Sequence, residues 1–482
     1  MEHIASRHLV FIVRRAAALV FACACAFIFA PSAARADDRV VVLTSYAEEL
    51  TQRYAAAFER AHPGKRVEIL WRHSADALAY LEREKGEVDV YWTPAQGNFA
   101  LLRAANRFRK LDLDHRVLPP KIGGQWISAP DDSYAAFELA GHGIVYNKNV
   151  IEKLGIAPPA DWIDLAGPAY AGKVQIPIPG RVGFAPVLIE SVLQGHGWDE
   201  GWAALAGIAA NADFGAVSDN VPAADAVVSG EKAARMTIDF FAATAIANGA
   251  PLGFRYPEKT TYSPAHVAIL ADAPHPETAR AFVDFVLSPA GQTLLFDADV
   301  RRLPARVDLY ASRPELPARP FADTSTGYDE PLGRERRGLV AGLFRVFLVD
   351  RHPELAELWA RLHRLETAGK TSVELKLARV ILSAAPISAA QQADAELREA
   401  FAFPARDPLP LAESSNRRAS THDAQGGADS PSAHGHHHDG KNGNESENRL
   451  HKLKYSTESR WAGIIDERIR LTRALLQQAE KQ

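Results

Sequence analysis

Sulfur is scarce in this chain, which has two cysteines and two methionines among 482 residues. Both cysteines, Cys23 and Cys25, lie in an apolar run over residues 16–30 that follows two arginines. Ala34-Arg35-Ala36 comes next, so residues 1–36 have the pattern of a cleaved signal peptide. The mature chain would then lack cysteine, which excludes disulfides and thiol chemistry from its function. An uncleaved membrane anchor and a lipid attached at Cys23 are the alternatives.

An excess of basic residues is also missing, since the formal net charge is -4. Residues 1–36 hold four basic residues and one acidic residue, so their removal takes the charge to -7. A mildly acidic protein has no electrostatic footprint for nucleic acid, so we expect none as a partner. The motifs Gly-x-Ser-x-Gly, His-Glu-x-x-His and the Walker loop are absent as well. We therefore expect a binding protein; an enzyme that uses dispersed aspartates and histidines is the alternative.

Short β-branched runs alternate with helical patterns from Arg39 onward, which is typical of βαβ units. The pattern predicts an α/β protein whose first lobe is doubly wound. Helical periodicity then dominates after Tyr310. The predicted division is 1–36 signal peptide, 37–130 with 255–320 lobe 1, 131–254 lobe 2, 321–412 C-terminal helical extension, 413–454 disordered histidine-rich linker, and 455–482 terminal amphipathic helix.

Three phrases of the sequence resemble one family of binding proteins. They are Tyr46-Ala47-Glu48-Glu49-Leu50 with Phe58-Glu59, Gly143-Ile144-Val145-Tyr146-Asn147-Lys148, and residues 279–292 with their Ser-Pro-Ala-Gly-Gln ending. The chain is similar to the extracellular solute-binding proteins of ABC transporters, in the branch of ferric-ion, phosphosugar, phosphonate and phosphoglycerate binders. This resemblance implies a periplasmic protein with a type II two-lobed clamshell. Its lobes close around a small solute, which is delivered to an ABC permease in the inner membrane.

Open α/β sheets bind ligands outside the carboxyl ends of their strands, so the predicted strand ends are the candidate ligand site. The candidate ligand-binding residues are Thr44, Ser45, Tyr46, Arg72, His73, Ser74, Thr93, Gly180, Arg181, Gly183, Asp239 and Tyr256. Ser45 and Ser74 each come just before a predicted helix, where hydroxyl and backbone N–H groups favour an anion. The alternative is that both are ordinary helix N-caps.

Two further strand ends carry chemistry of different kinds. Gly180-Arg181-Val182-Gly183 precedes a predicted helix, which would let the backbone approach a phosphate while Arg181 forks onto its oxygens. Asp239 ends a predicted strand and could accept a hydrogen bond from a hydroxyl or amine of the ligand. The alternative for Asp239 is a cap of the next helix.

The residues next to Asp239 bear on the choice of solute. The resemblance implies paired tyrosines near this point in ferric binders, whereas this chain has Phe240-Phe241. Phenyl rings cannot ligate iron. Tyr46, Tyr91, Tyr256 and Tyr262 remain as candidate phenolates, which keeps a ferric-ion-binding protein as the alternative. A small phosphorylated or carboxylated organic anion is the preferred solute.

Two features lie outside the predicted lobes. His434, His436, His437 and His438 could bind Zn, Ni or Cu, which suggests a periplasmic metal chaperone as a third hypothesis; the alternative is a linker with incidental metal affinity. No other cofactor is expected. The C-terminal helices resemble those of regulatory relatives, so a membrane sensor histidine kinase is a further candidate partner.

Overall fold

The computed structural model describes residues 38–214, 225–313, 320–322, 327–402 and 440–481. The chain divides into two compact units. Unit 1 comprises residues up to Arg109 together with Val267–Val286, and unit 2 comprises Lys110–His266 together with the chain from Leu287 onward. Among the described residues, no helix is both long enough and apolar enough to cross a membrane.

Unit 1 contains a parallel sheet and four helices. Its strands are β1 (Arg39–Thr44), β2 (Arg66–Trp71) and β3 (Val90–Thr93), and its helices are α1 (Glu48–Ala61), α2 (Ser74–Arg83), α3 (Gln96–Ala104) and α9 (Pro276–Leu287). Strand β1 lies between the other two, with Val42 opposite Ile69 on one side and Val90 on the other. Its apolar residues 40–43 are all buried, as expected for a central parallel strand covered on both faces.

A buried carboxylate fixes three parts of unit 1 to one another. Asp89 is fully buried. It accepts hydrogen bonds from the Val41 amide at 2.8 Å, the His275 amide at 2.6 Å and the His275 Nδ1 atom at 2.9 Å. Because His275 directly precedes α9, this one side chain links β1, the start of β3 and the start of that helix.

Unit 2 is built on a mixed sheet around one long strand. Its strands are β4 (Lys121–Ile122), β5 (Gln125–Trp126), β6 (Ala135–Asn147), β7 (Val174–Gln175), β8 (Ala212–Asp213), β9 (Ala234–Ile238), β10 (Leu252–Arg255), β11 (Tyr262–Ile269, whose last three residues belong to unit 1) and β12 (Leu303–Pro304). Strand β6 pairs antiparallel with β9, β10 and β12, and β7 pairs parallel with β8 and β9.

Helices cover the sheet of unit 2 and continue into the C-terminal region. They are α4 (Lys148–Leu154), α5 (Ala185–His196), α6 (Trp198–Ala210), α7 (Asp225–Val228), α8 (Asp239–Ala247), α10 (Pro289–Thr293), α11 (Glu330–Glu335), α12 (Arg337–Phe344), a π-helical turn (Arg345–Val349), α13 (His352–Thr367), α14 (Val373–Ser383), α15 (Ala395–Ala402) and α16 (Gly440–Lys481). The predicted α/β class with an added helical C-terminal region is therefore confirmed.

Three segments lie in a different unit from the one that the sequence predicts. Residues 255–266 belong to unit 2 rather than lobe 1, since the His142 amide donates to the Thr261 carbonyl at 3.1 Å. Residues 110–130 belong to unit 2 rather than lobe 1, since the Leu111 amide donates to the Asp132 carbonyl at 2.8 Å. Residues 287–313 also belong to unit 2, because β12 pairs with β6 and the Gln292 side-chain Nε2 donates to the Phe137 carbonyl at 2.7 Å. All of these bonds join residues that are not neighbours in the chain, so no local pattern reveals them.

The last helix differs from its predicted extent. Helix α16 begins at Gly440, not at 455, so part of the segment predicted to be disordered is helical. The polar residues at its start prolong a helix whose stability comes from a buried stripe further along, which includes Trp461, Ile465 and Leu476. Residues 413–439 lie outside the described part of the chain.

The C-terminal helices share one hydrophobic core with the sheet of unit 2. Ile144 and Met236 of the sheet, Trp202 of α6, and Leu343 and Trp461 of the C-terminal helices all belong to this core. The C-terminal helices are therefore a layer of unit 2 and not a separate extension. Deleting residues 334–482 would expose the apolar surface of α5 and α6. A truncated chain is therefore unsuitable for testing whether the C-terminal helices bind a sensor kinase.

Candidate functional site

Three hydroxyl groups meet where the three strands of unit 1 end. Ser45 follows β1, Ser74 begins α2 after β2, and Thr93 ends β3. The Ser74 hydroxyl donates to Ser45 Oγ at 3.1 Å, and Ser45 Oγ lies 2.6 Å from Thr93 Oγ1. Two hydrogen bonds among three hydroxyls use two of their three hydrogens. One hydroxyl hydrogen remains for a ligand, and Ser45 and Ser74 are only half-buried.

These hydroxyls do not cap the helices that follow them. The N-cap residues of α1, α2 and α3 are Ala47, His73 and Ala95, and none makes a side-chain capping bond. The N-cap interpretation of Ser45 and Ser74 therefore does not describe this structure. Three helices begin beside the hydroxyl cluster with amide groups that no capping side chain satisfies, which favours negative charge.

The first turns of these helices differ in charge. Helix α1 has Glu48 and Glu49 in its first turn, and α2 has Asp76. Helix α3 has no acidic residue there. Its Asn98 side chain donates to the Ser74 carbonyl at 2.8 Å and to the Tyr91 hydroxyl at 2.8 Å. An anion would therefore be repelled least at the start of α3, close to Thr93.

The neighbouring candidates of unit 1 have other contacts. Thr44 Oγ1 accepts from the Tyr46 amide at 3.1 Å, and the Tyr46 ring packs against Trp92 with centroids 5.3 Å apart. The Arg72 guanidinium lies 5.0 Å from the Tyr80 ring centroid. His73 is exposed and its ring packs edge-on against Trp71.

A buried carboxyl group is the centre of the candidate site in unit 2. Asp239 is the first residue of α8 and is 5% exposed. Its Oδ2 atom accepts from the Gly141 amide at 2.8 Å and from the Tyr256 hydroxyl at 2.9 Å. Its Oδ1 atom is buried and meets no hydrogen-bond partner by distance and angle among the described residues.

Burial raises the pKa of Asp239 to about 7. The Gly141 amide, the Tyr256 hydroxyl, the Phe240 amide and the Arg302 charge lower it only in part. The carboxyl group therefore exchanges its proton near neutral pH. A protonated Asp239 can donate as well as accept, which widens the range of ligand groups it could contact.

The glycine at position 141 makes this arrangement possible. A Cβ atom there would collide with the Tyr256 ring and would lie 2.8 Å from the Tyr262 ring and 3.0 Å from Asp239 Oδ2. The absence of a side chain lets the amide reach the carboxylate while both rings pack beside it, with centroids 5.8 Å apart. The sequence did not identify Gly141, since no local motif surrounds it.

The phenylalanine pair beside Asp239 packs against a cation. The Arg302 guanidinium lies 4.1 Å from the Phe240 ring centroid and donates to the buried Glu138 carboxylate at 2.6 Å. Phe241 lies 4.5 Å from Phe240 and 6.1 Å from Phe184, measured between ring centroids. Arg302 was also missed from the sequence, because it comes from a distant segment without a recognisable motif.

The glycine loop forms a turn before α5. Gly180 has φ +89°, a conformation that L side chains rarely adopt, and the Arg181 amide donates to the Ile178 carbonyl at 3.1 Å. Arg181 and Gly183 are exposed. Phe184 connects this loop to Phe241, but no hydrogen bond within the described residues joins Arg181 to Asp239.

The predicted metal tract at His434, His436, His437 and His438 lies outside the described residues. In the part of the chain that the structure covers, no group of three or more histidine, cysteine, aspartate or glutamate side chains could hold a metal ion.

Comparison with known protein families gives a match for the middle part of the chain. Residues 97–325 match the family described as bacterial extracellular solute-binding protein. The match covers slightly less than half of the chain. The matched segment includes the glycine loop and Asp239 and begins just after Thr93, so the hydroxyl cluster lies outside it.

One curated relative and two solved structures are similar to this chain. The phosphoglycerate transport regulatory protein PgtC of Salmonella typhimurium is 32% identical over 259 residues, which are 54% of this chain and 64% of the relative. The chain thus spans less than two thirds of that relative's length. Fructose-6-phosphate-bound AfuA of Actinobacillus pleuropneumoniae has a TM-score of 0.45 and 21% identity, covering 61% of this chain and 87% of AfuA. Iron-bound HitA of Pseudomonas aeruginosa has a TM-score of 0.49 and 19% identity, covering 61% and 94%. With TM-scores below 0.5, neither structure decides the ligand.

Proposed function

We propose that this protein captures a small phosphorylated or carboxylated organic anion in the periplasm and delivers it to an ABC permease. The observation that carries the proposal is the hydroxyl cluster of Ser45, Ser74 and Thr93 beside three helix starts without side-chain caps. The match of residues 97–325 to the solute-binding family and the similarity to a phosphoglycerate transport regulatory protein support it.

The chemistry of the cluster suits an oxyanion better than a cation. A free hydroxyl hydrogen and backbone N–H groups are donors, and donors stabilise phosphate or carboxylate oxygens. Bonds from neutral donors to a charged acceptor contribute about 1.5–3 kcal/mol each. In this proposal Thr93 and Ser45 orient the anionic group, and the amides at the start of α3 contribute further donors.

Ferric ion is the less favoured solute on the evidence of unit 2. Burial raises the pKa of Tyr256 well above its usual value, with Asp239 and Tyr262 adding to the rise, so a phenolate ligand would form only at a large cost. The Arg302 guanidinium packed on Phe240 would also repel a metal cation. We propose instead that Asp239 contacts a hydroxyl or amine of the organic solute.

The solute is tested by thermal denaturation of the purified protein with 3-phosphoglycerate, fructose 6-phosphate, a phosphonate, ferric citrate and zinc chloride, followed by calorimetric titration of each stabilising compound. Stabilisation by a phosphorylated compound is the expected outcome. Stabilisation by ferric ion alone, or by zinc alone, would overturn the proposal in favour of an iron-binding or metal-chaperone role.

The site is tested with Ser45→Ala and Thr93→Val. Each should weaken the phosphorylated solute by about 1.5–3 kcal/mol, or roughly ten- to a hundredfold in Kd. Thr51→Val is the matched control, because Thr51 is a buried hydroxyl of unit 1 that bonds only the α1 backbone in the contacts described here. Unchanged Kd in the Thr93 variant would remove the cluster from the site.

The C-terminal helices support a second proposal, that the protein also reports solute binding to a membrane sensor histidine kinase. Their close packing on α5 and α6 places them in the same unit as Asp239. Co-purification of the full chain with such a kinase from membranes, with and without 3-phosphoglycerate, tests this role. Recovery of the permease alone under both conditions would count against it.

A further inference from the structure

Helix α14 has two apolar faces. One face, with Leu375, Ala378 and Leu382, is buried in the core of unit 2. The opposite face has Val373 and Val380, which are 77% and 63% exposed, and Leu377, which is 46% exposed. An amphipathic helix at a protein surface normally presents polar side chains to solvent on that side.

The spacing of the exposed residues defines a continuous stripe. Val373, Leu377 and Val380 follow one another at intervals of four and three residues, so they lie on one side of the helix. Valine also favours helix less than lysine, glutamine or alanine, so solvent-exposed valines do not stabilise α14 by themselves. Neither helix propensity nor core packing accounts for this stripe.

The charges beside the stripe are predominantly basic on one edge. Lys376 is exposed and makes no ion pair among the described residues. Arg379 is exposed as well, although it pairs with Glu366 and packs over Trp359. Lys376 is therefore the charge available to a partner along this edge.

The size of the stripe limits what can bind to it. Three side chains on one helix amount to a patch of a few hundred Å² at most, of the order that a single exposed functional patch covers. A stable dimer needs about 1,200–2,000 Å² of total buried surface. The stripe is too small for a stable dimer but matches one face of a docked helix with anchors at i, i+4 and i+7.

We propose that Val373, Leu377 and Val380 form a docking surface for an amphipathic helix of a partner protein that carries acidic residues along the edge facing Lys376. This surface does not depend on the identity of the solute or on the groups around Asp239.

The test uses two synthetic peptides with the same apolar helical face, one flanked by glutamates and the other by lysines. Their binding to the full chain is measured by fluorescence anisotropy. The acidic peptide should bind at least fivefold more tightly than the basic one. Val373→Gln/Leu377→Gln/Val380→Gln should weaken it at least tenfold, and Lys376→Glu should reverse the preference between the peptides.

Leu471→Gln is the matched control, since Leu471 is 47% exposed on a different helix, α16. It should bind the acidic peptide as the unchanged protein does. Circular dichroism verifies folding, and the single Val380→Gln variant serves if the triple variant does not fold. Equal binding of both peptides, no binding, or unchanged binding by the triple variant would overturn the proposal. Self-association in sedimentation that the triple variant abolishes would assign the stripe to a second copy instead, and would overturn it too.

Discussion

A buried ion pair joins α5 to the C-terminal helices and gives the sharpest stability prediction. Arg336 donates from Nε to both Glu190 oxygens, at 3.0 and 3.2 Å, and from Nη2 to Oε1 at 2.6 Å. The two side chains are 5% and 3% exposed. Gln194 donates to Glu190 Oε1 at 2.7 Å, and the guanidinium lies 5.2 Å from the Trp198 ring centroid.

Removing one partner of this pair leaves the other charge buried without compensation. Arg336→Met should therefore lower the free energy of unfolding by about 3–5 kcal/mol. Glu190→Leu should cost a similar amount, since among the described residues it leaves the guanidinium with one hydrogen-bond acceptor, Gln392 Oε1 at 3.3 Å. The double variant replaces both charges with apolar side chains and should lie within about 2 kcal/mol of the unchanged protein.

Urea denaturation followed by far-ultraviolet circular dichroism measures all four proteins of this double-mutant cycle. The expected result is a large favourable coupling, with the double variant much more stable than the sum of the single losses predicts. Single losses below about 1 kcal/mol, or strict additivity, would refute the interpretation that this pair is desolvated and mutually dependent. Arg334→Met is the control, since its ion pair with Glu330 is exposed.

Three further predictions concern the other buried groups. Because the folded pKa of Asp239 is about 7 and its unfolded value is near 3.8, folding favours the protonated form, so this residue lowers stability as pH rises through this interval. The loss of folding free energy approaches roughly 4 kcal/mol above pH 7. Asp239→Asn should therefore flatten the dependence of stability on pH, measured by urea denaturation. An unchanged pH dependence would contradict the raised pKa of Asp239. Gly141→Ala should destabilise by about 1–3 kcal/mol by thermal denaturation and weaken the Asp239–Tyr256 contact; wild-type stability would show that the rings yield freely. Asp89→Asn should cost about 1.5–3 kcal/mol, with faster hydrogen exchange at the start of α9 as its signature, and unchanged exchange there would count against the link.

The elements of unit 1 were predictable because each is determined by its own residues. The run 40–43 is continuously apolar, and helix α1 repeats its buried residues at Leu50, Tyr54 and Phe58 before it ends near Gly64. Such patterns need no knowledge of distant contacts. Ser45 and Thr93 were both candidates because each follows or ends a predicted parallel strand, and their role in ligand binding remains a prediction.

Unit 2 was less predictable because distant residues determine it. The first half of β6 contains Glu138 and Gly141, two residue types that are unfavourable in a buried strand. In the folded protein, Arg302 donates a hydrogen bond to the Glu138 carboxylate. The Gly141 amide donates to Asp239, and this contact needs a residue without a side chain. The full length of α16 and its place in the core also escaped prediction, since nothing within residues 440–454 indicates what covers Leu450. Periodicity identifies a face to be buried but not the surface that buries it.

The position of α16 also determines when unit 2 can finish folding during synthesis of the chain. Trp461, Leu476 and Ala479 fill a core whose other side is formed by Ile144 and Met236, more than two hundred residues earlier in the chain. Unit 2 therefore cannot reach its final packing until synthesis has passed residue 479. Until then its first strands and helices retain exposed apolar surface. A chain kept unfinished in this way stays available to chaperones for nearly its whole synthesis.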